Sequence, residues 1–441
     1  MAKQLTALQK RVLGQASRGP IVNVLSQLQT GAAGRWLRSG HPFPDGIPPR
    51  NIRTINAADH AAIVELLAAT GPNHCIDGWA FLARGLASLV AGDTHAARHF
   101  AYYAELRAAQ SILSTMGIGV FGSWNCVVDH TGTITLADDK NGPRGTHDMV
   151  WLAIQEWVAG PNAAGQLGEA VSIRNVNLDD CLKAMWPGTH GRPAGKDLVL
   201  AWGIDLQKAD EERHARNNSS YNPQGLNPIP CSADDTLTFL EDFWSLFEPD
   251  PGDPFLTLDR YLFRLMAEEQ YNIIRHVTPG AGKAKDLRQR HALLDPAVQQ
   301  AVSERFITRA DAPADHAIIT KALTVSATPH PTEMLSRAAL LLRTATAVVT
   351  KAFFDAGVNG GADLIFWYSP FGLDIGLWNV GGPPVPMVGL WDDVRQAMDD
   401  ALDARSRAPV PLTREDWASA VPNGLPRIFE AERIALWSLC S

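Results

Sequence analysis

The stretch 78–116, GWAFLARGLASLVAGDTHAARHFAYYAELRAAQSILSTM, decides the fold class. Its apolar residues recur at three- and four-residue spacing: Trp79, Leu82, Leu86, Leu89 and Val90, then Phe100, Ala104, Ala108, Ile112 and Met116. That period lays them along one stripe of an α-helix, whereas a strand would alternate every second residue. Between the two runs, Ala91-Gly92-Asp93-Thr94 supplies a turn and an Asp or Thr to cap the second helix. The stretch is therefore predicted to form a helical hairpin, with a close, alanine-lined second helix.

Helical patterning begins upstream at 57–59, with Asn56 or Asp59 as cap, and runs through Leu67 and Ala68. Downstream, helices are predicted over 146–158, 258–276, 333–354 and 391–405, and Asp234-Asp235 cap an aromatic helix reaching Phe247. The polar segment 208–220 extends a helix begun near Leu198. Residues 124–128 and 133–136 read as two short strands around the turn residues Asp129-His130-Thr131-Gly132, a small β-hairpin. The aromatic stretch 364–378 is the one later segment with strand-like content. The expected fold is mainly α, a helical-bundle core with one or two small β-hairpin insertions. The proline-rich run at 248–254 divides it. Residues 1–55 form a basic arm and Pro-rich linker, 56–248 a helical domain with the β insertion, and 255–441 a second, mainly helical domain.

At 46% apolar and 20% charged residues, the 441-residue chain can bury a large core, which excludes wholesale disorder. No apolar run reaches the roughly 18 residues of a membrane-spanning helix. Residues 1–15 lack the continuous apolar run of a secretory signal. Five widely spaced cysteines do not suggest a disulfide framework. The expectation is a reduced, cytoplasmic, soluble protein without membrane contact. Residues 1–60 carry eight Lys or Arg against Asp45 and Asp59, on a chain whose net charge is −8. Such an arm either meets phosphate, releasing counterions from a nucleic acid, or lies across an acidic face of its own body or of a second subunit. The turn-rich piece 31–53, with Pro42, Pro44, Pro48 and Pro49, reads as extended linker.

Several motifs fail on inspection. Gly280-Ala281-Gly282-Lys283 lacks the upstream Gly and following Ser or Thr of a phosphate-binding loop, having Val277 and Ala284 there. His95 and His99 share a helical face, but Ala96 stands where a zinc peptidase needs Glu. His147-Asp148 would need partners on separate helices to hold metal, and His99 and Asp179 are candidates. The bland alternative is a helix cap with His147 packed beneath it. No cofactor and no metal are expected.

The segment 211–223, EERHARNNSSYNP, concentrates charge at the end of a predicted helix. Arg216-Asn217, followed after three residues by Tyr221, resembles the Arg-x(4–6)-His signature of the HEPN superfamily, in which Asn commonly follows Arg. The resemblance implies a helical, often dimeric protein, and many such proteins are metal-independent ribonucleases of toxin and phage-defence systems. It implies a site of Arg216, Asn217 and Tyr221, with His214 as an auxiliary base, because a phenol with a pKa near 10 is a poor base at neutral pH. Arg216 would offset charge developing on the phosphate while a base takes the ribose 2′-hydroxyl proton. Against this stands an ordinary i,i+4 ion pair between Glu212 and Arg216. His99, Tyr102, Tyr103 and Arg107 fall within two helical turns, able to stack a base and hold a phosphate or to line a helix interface. The partners that follow are RNA and either a second copy of the chain or a co-encoded protein. The rival class is a non-catalytic helical scaffold, to which thirteen tryptophans would lend interface anchors.

Overall fold

Helix α1 (Ala57–Val90) and helix α2 (Thr94–Thr115) form the hairpin that the apolar spacing predicts, and Asp93 caps α2 by accepting from the Ala96 amide. The computed structural model describes residues 4–27, 36–38, 40–43, 57–122, 124–143, 145–188, 192–221, 229–275, 282–310, 315–324, 326, 328–407, 413–421 and 424–440. Most of the predicted linker 31–53, the Gly280-Ala281 part of the glycine motif and Asn222-Pro223 lie outside the described residues. The two helical runs predicted at 57–68 and from 78 are one helix, which continues through Pro72. A proline inside a helix costs about 3 kcal/mol. Burial of Leu66, Leu67, Ala69, Cys75, Ile76 and Trp79 on either side of it offsets that loss.

Three further helices complete the frame around the site: α3 (Thr146–Ala159), α4 (Ala209–Tyr221) and α6 (Pro331–Ala356), with α5 (Leu256–Arg275) tied to α6 by the Asp259–Arg343 ion pair. Helix α6 starts with Pro331 at its first position, His330 and Glu333 forming a capping box, and stops at Gly357 in the left-handed region. It is buried along most of its length and packs against both helices of the hairpin. Glycine makes that approach possible. A Cβ on Gly78 would overlap Leu342 of α6 and stand 3.4 Å from the Ala104 carbonyl of α2. One turn pair later, a Cβ on Gly85 would lie 2.7 Å from Leu335 Cδ2. Between these contacts the Trp79 indole N–H donates to Thr346 Oγ1 at 3.0 Å.

The β-hairpin falls where expected, as β2 (Asn125–Val128) and β3 (Ile134–Leu136), and β1 (Ile118–Val120) adds a third antiparallel strand with Ile118 opposite Val127. Asp129 organises the turn by accepting from the Thr131 and Thr133 amides. Strands β4 (Ser172–Ile173) and β5 (Val176–Asn177) make a second, two-stranded sheet. The stretch 364–378 is helical instead of extended, over Ile365–Asp374. Its aromatic residues pack at helical spacing, Trp367 on Phe371, with Phe366 and Trp367 against Trp36. Residues 198–220 are likewise not one helix: Gly195–Ala201 ends at Trp202, and α4 starts afresh at Ala209.

One hydrophobic cluster runs from Leu5 to Cys440, across the proline-rich segment 248–254. The described part of the basic arm belongs to it through Val12, Leu13, Ile21 and Leu25. The arm's cations meet acids of the body: Lys10 with Glu156 at 3.3 Å, Arg18 with Asp355 at 2.6 Å and Arg38 with Glu65 at 3.0 Å. Trp79, Trp202, Trp244, Trp417 and Trp437 are fully buried, so these tryptophans serve the core. No helix among the described residues is long and apolar enough to cross a membrane.

Gly78→Val is expected to destabilise the chain by about 1–3 kcal/mol through overpacking at the crossing of α1 and α6. Urea unfolding of the single variant and of Gly78→Val/Leu342→Ala checks this. The added space at position 342 should return part of the loss, and an unchanged midpoint in the single variant would contradict the packing.

Candidate functional site

Helix α4 lies along α2 with Glu212, Ala215 and Ser219 facing inward and Arg216 half-buried at the edge of that face. The Arg216 guanidinium sits over two adjacent rings of α2, 5.0 Å from the Tyr102 centroid and 5.5 Å from that of Tyr103. Such stacking attracts a cation through the ring quadrupole while leaving its charge uncompensated. Among the described residues no carboxylate pairs with Arg216, and its Nε makes no hydrogen bond. The Glu212 partner expected from i,i+4 spacing turns away to Arg337 of α6.

Two imidazoles flank this cation. His147, in the first turn of α3, has Nδ1 2.9 Å from the Tyr102 hydroxyl. Trp151, one turn on, donates its indole N–H to the same hydroxyl at 3.4 Å. His99 of α2 packs its ring 5.0 Å from that of Tyr103 and holds Nδ1 2.7 Å from Ser220 Oγ. Burial, then the positive charge of Arg216, pushes both histidines below the ordinary imidazole pKa, and Arg213 adds to the effect at His147. Both rings are therefore neutral at pH 7. Burial raises the Tyr102 phenol above its usual range, so it keeps its proton. Arg213, next to Arg216, is tied to Asp148 by a 2.6 Å ion pair that joins α4 to α3.

Of the four site residues that the resemblance implies, the structure brings Arg216 into this cluster and leaves the others around the rest of α4. Asn217 is half-buried beside it. His214 is exposed, and two positions of helix turn it about 200° from Arg216. Tyr221 is 79% exposed, about 140° away by the same geometry. The groups gathered at Arg216 come instead from α2 and α3. Tyr102, Tyr103 and His99 were visible as a polar–aromatic cluster on one predicted helix, and His147-Asp148 as an adjacent pair. Nothing in the sequence joined those segments to Arg216. His95 and His99 do not converge on a common metal-like position; each bonds a serine of α4, Ser219 at 3.2 Å and Ser220 at 2.7 Å.

One turn on along α2 and one turn back along α4, Glu105 and Glu212 meet Arg337 of α6, all three at most 3% exposed. One guanidinium cannot balance two desolvated carboxylates. Burial, reinforced by the Glu212 charge, raises the Glu105 pKa well above the carboxylate range, so Glu105 holds a proton toward Glu212. Arg337 also donates to the Ala322 carbonyl, and Lys208 to that of Thr324. This locked triad fixes the position of α4 on α2, and with it the seat of Arg216.

No protein-family model matches this chain, nor does any curated protein or solved structure.

Removing Arg337 leaves the acids unbalanced, so Arg337→Ala should cost about 3–5 kcal/mol in denaturant unfolding. Glu105→Gln, which mimics the protonated acid, should cost less than about 1 kcal/mol. Equal losses in both variants would contradict a shared proton. At the site itself, histidine titration by NMR should place His99 and His147 below the ordinary midpoint of about 6.5. Arg216→Ala should move both upward. A shift in neither would mean that Arg216 does not set the local field.

Proposed function

We propose that this chain is a HEPN-like, metal-independent endoribonuclease, or an inactive relative of one, with its site centred on Arg216. The observation that carries the reading is the half-buried Arg216 guanidinium, held by two tyrosine faces with no carboxylate and flanked by two neutral imidazoles. A cation so placed has its charge available for an anion, and a phosphodiester is the anion whose cleavage uses neutral histidine beside it. Arg216 offsets charge on the non-bridging oxygens. His147 or His99 takes the 2′-hydroxyl proton, the 2′-oxygen attacks phosphorus, and the bond to the 5′-oxygen breaks as that oxygen takes a proton from water or from the imidazolium just formed. The product ends in a cyclic phosphate, and no step calls for a metal. In this reading Asn217, Tyr221 and His214 contact the RNA on the flank of α4, and the histidines of α2 and α3 take the base role.

A non-catalytic helical scaffold is the second reading. It is favoured by Phe354, Ile365, Val380 and Val385, apolar side chains 57–95% exposed.

Incubation of mixed tRNA and single-stranded RNA with the protein in EDTA tests the proposal. Fragments ending in cyclic phosphate are expected, with a loss of about 100-fold or more in rate for Arg216→Ala, in the range seen when a transition-state charge donor is removed. Wild type that is folded and yields no fragments would favour the inactive relative or scaffold. Cleavage that Arg216→Ala leaves intact would refute the site.

A further inference from the structure

Residues 364–391, LIFWYSPFGLDIGLWNVGGPPVPMVGLW, contain a single charged residue, Asp374, in a chain that is 20% charged. Six of these 28 residues are aromatic. Such a composition belongs in a core, yet much of the segment lies on the surface. Trp367 and Tyr368 are buried, but Ile365 is 57% exposed, Leu373 44% and Ile375 42%, and Val380 and Val385 are each 95% exposed. Single apolar side chains at a surface are ordinary, whereas five within one nearly uncharged segment mark a contact.

The segment is held in shape. After the helix Ile365–Asp374 the chain folds back, with the Leu377 amide donating to the Gly372 carbonyl at 2.8 Å and the Trp378 indole N–H to that of Ser369 at 3.3 Å. A Cβ on Gly372 would overlap the Trp378 ring, so glycine permits this return. Beyond Trp378, the two bare valines flank Gly381-Gly382-Pro383-Pro384. The amides of this loop are satisfied internally or missing. Gly381 N–H donates to Asn379 Oδ1 at 2.8 Å and Gly382 N–H to the Asn379 carbonyl at 3.0 Å. Pro383, Pro384 and Pro386 have no N–H. Five of the six positions 381–386 therefore offer no backbone donor.

A protein partner would exchange hydrogen bonds across such a face and seat its apolar anchors in pockets. This loop has few donors to exchange. Side chains 95% exposed stand clear of any wall, so a second copy of the same face would offer them no pocket. A lipid surface requires neither. It takes apolar tips of any shape, penalises each unsatisfied amide, and favours tryptophan at the level of the headgroups. We infer that the loop 375–385 is an insertion tip that seats this protein on a lipid surface. Val380 and Val385 enter the acyl boundary, with Ile375 and Trp378 at headgroup depth. Such contact departs from the sequence expectation, which rested on the lack of a spanning run; lying on a bilayer needs no such run. Charge takes little part, because the chain carries −8 and the tip's one charged residue is Asp374, so the fitting surface is zwitterionic lipid.

Flotation of the full chain with phosphatidylcholine vesicles, at low and high salt, tests the inference. The wild type should float with the vesicles to the same extent at both salt concentrations. Val380→Asp/Val385→Asp should lower the partition about 100-fold, about 10-fold for each valine withdrawn from the apolar boundary. Wild type that stays with the free protein overturns the inference, and that arm involves no variant. So does flotation that the double variant leaves unchanged, or flotation that needs anionic lipid and disappears at high salt. Self-association of the wild type in sedimentation without lipid, abolished by the double variant and accompanied by no flotation, would make the face a protein contact instead. No RNA enters these measurements, so the nuclease reading stands or falls separately.

Discussion

A single buried cation, Arg337, holds the helices around the candidate site in register. It reaches from the middle of the most enclosed helix, α6, to acids on two others, Glu105 on α2 and Glu212 on α4. Taking a guanidinium out of water costs several kcal/mol, which only well-placed acids repay. With two of them present, one must stay protonated, and the trio then admits very few arrangements of α2, α4 and α6. Arg343 with Asp259, and Arg264 with Asp315, repeat the device on the other side of α6 and on α5. The packing of α1 and α2 supplies the hydrophobic energy; the arginines specify how the remaining helices seat on that base.

The candidate site draws its character from this geometry. Because Glu212 is consumed by Arg337, it is not available to neutralise Arg216 one turn away. Aromatic faces take the place that a carboxylate would otherwise hold, and they position the guanidinium without cancelling it. Burial, and after it the same positive charge, lowers the pKa of the neighbouring imidazoles. The uncompensated cation thus follows from an allocation of charge made in the core below it, while burial is the main cause of the neutral bases and the protonated phenol around it.

What was legible in the sequence was local. The hairpin of α1 and α2, the Asp93 cap and the Asp129 turn all depend on residues within a few positions of one another, and so does the start of the aromatic helix, though its cap is Ser232, with Asp235 closing the capping box, and not the pair Asp234-Asp235. Periodicity also gave an apolar stripe for each helix of the hairpin. It could not say which helix a given stripe would meet, and that is what defines the site: His147 lies 45 residues from Tyr102, and Arg216 more than 100. The proximity of Arg216, Asn217 and Tyr221 along the chain suggested a common site, yet the helix that carries them spreads them around its circumference. The stretch 364–378 misled for a related reason. Aromatic richness suits strands and helices alike, and the contact with Trp36 that selects helix is made by the distant N-terminal arm.

The arm has a consequence for how this molecule would meet any polyanion. Lys10, Arg18 and Arg38 give their charge to Glu156, Asp355 and Glu65, an internal neutralisation that withdraws three of the eight cations of residues 1–60 from long-range attraction. The chain as a whole is acidic, so a nucleic acid approaching it gains little from released counterions. Affinity must then come from short-range contact, and its salt dependence should be shallow. Cations paired in this way act at close quarters and do not gather a polyanion from a distance.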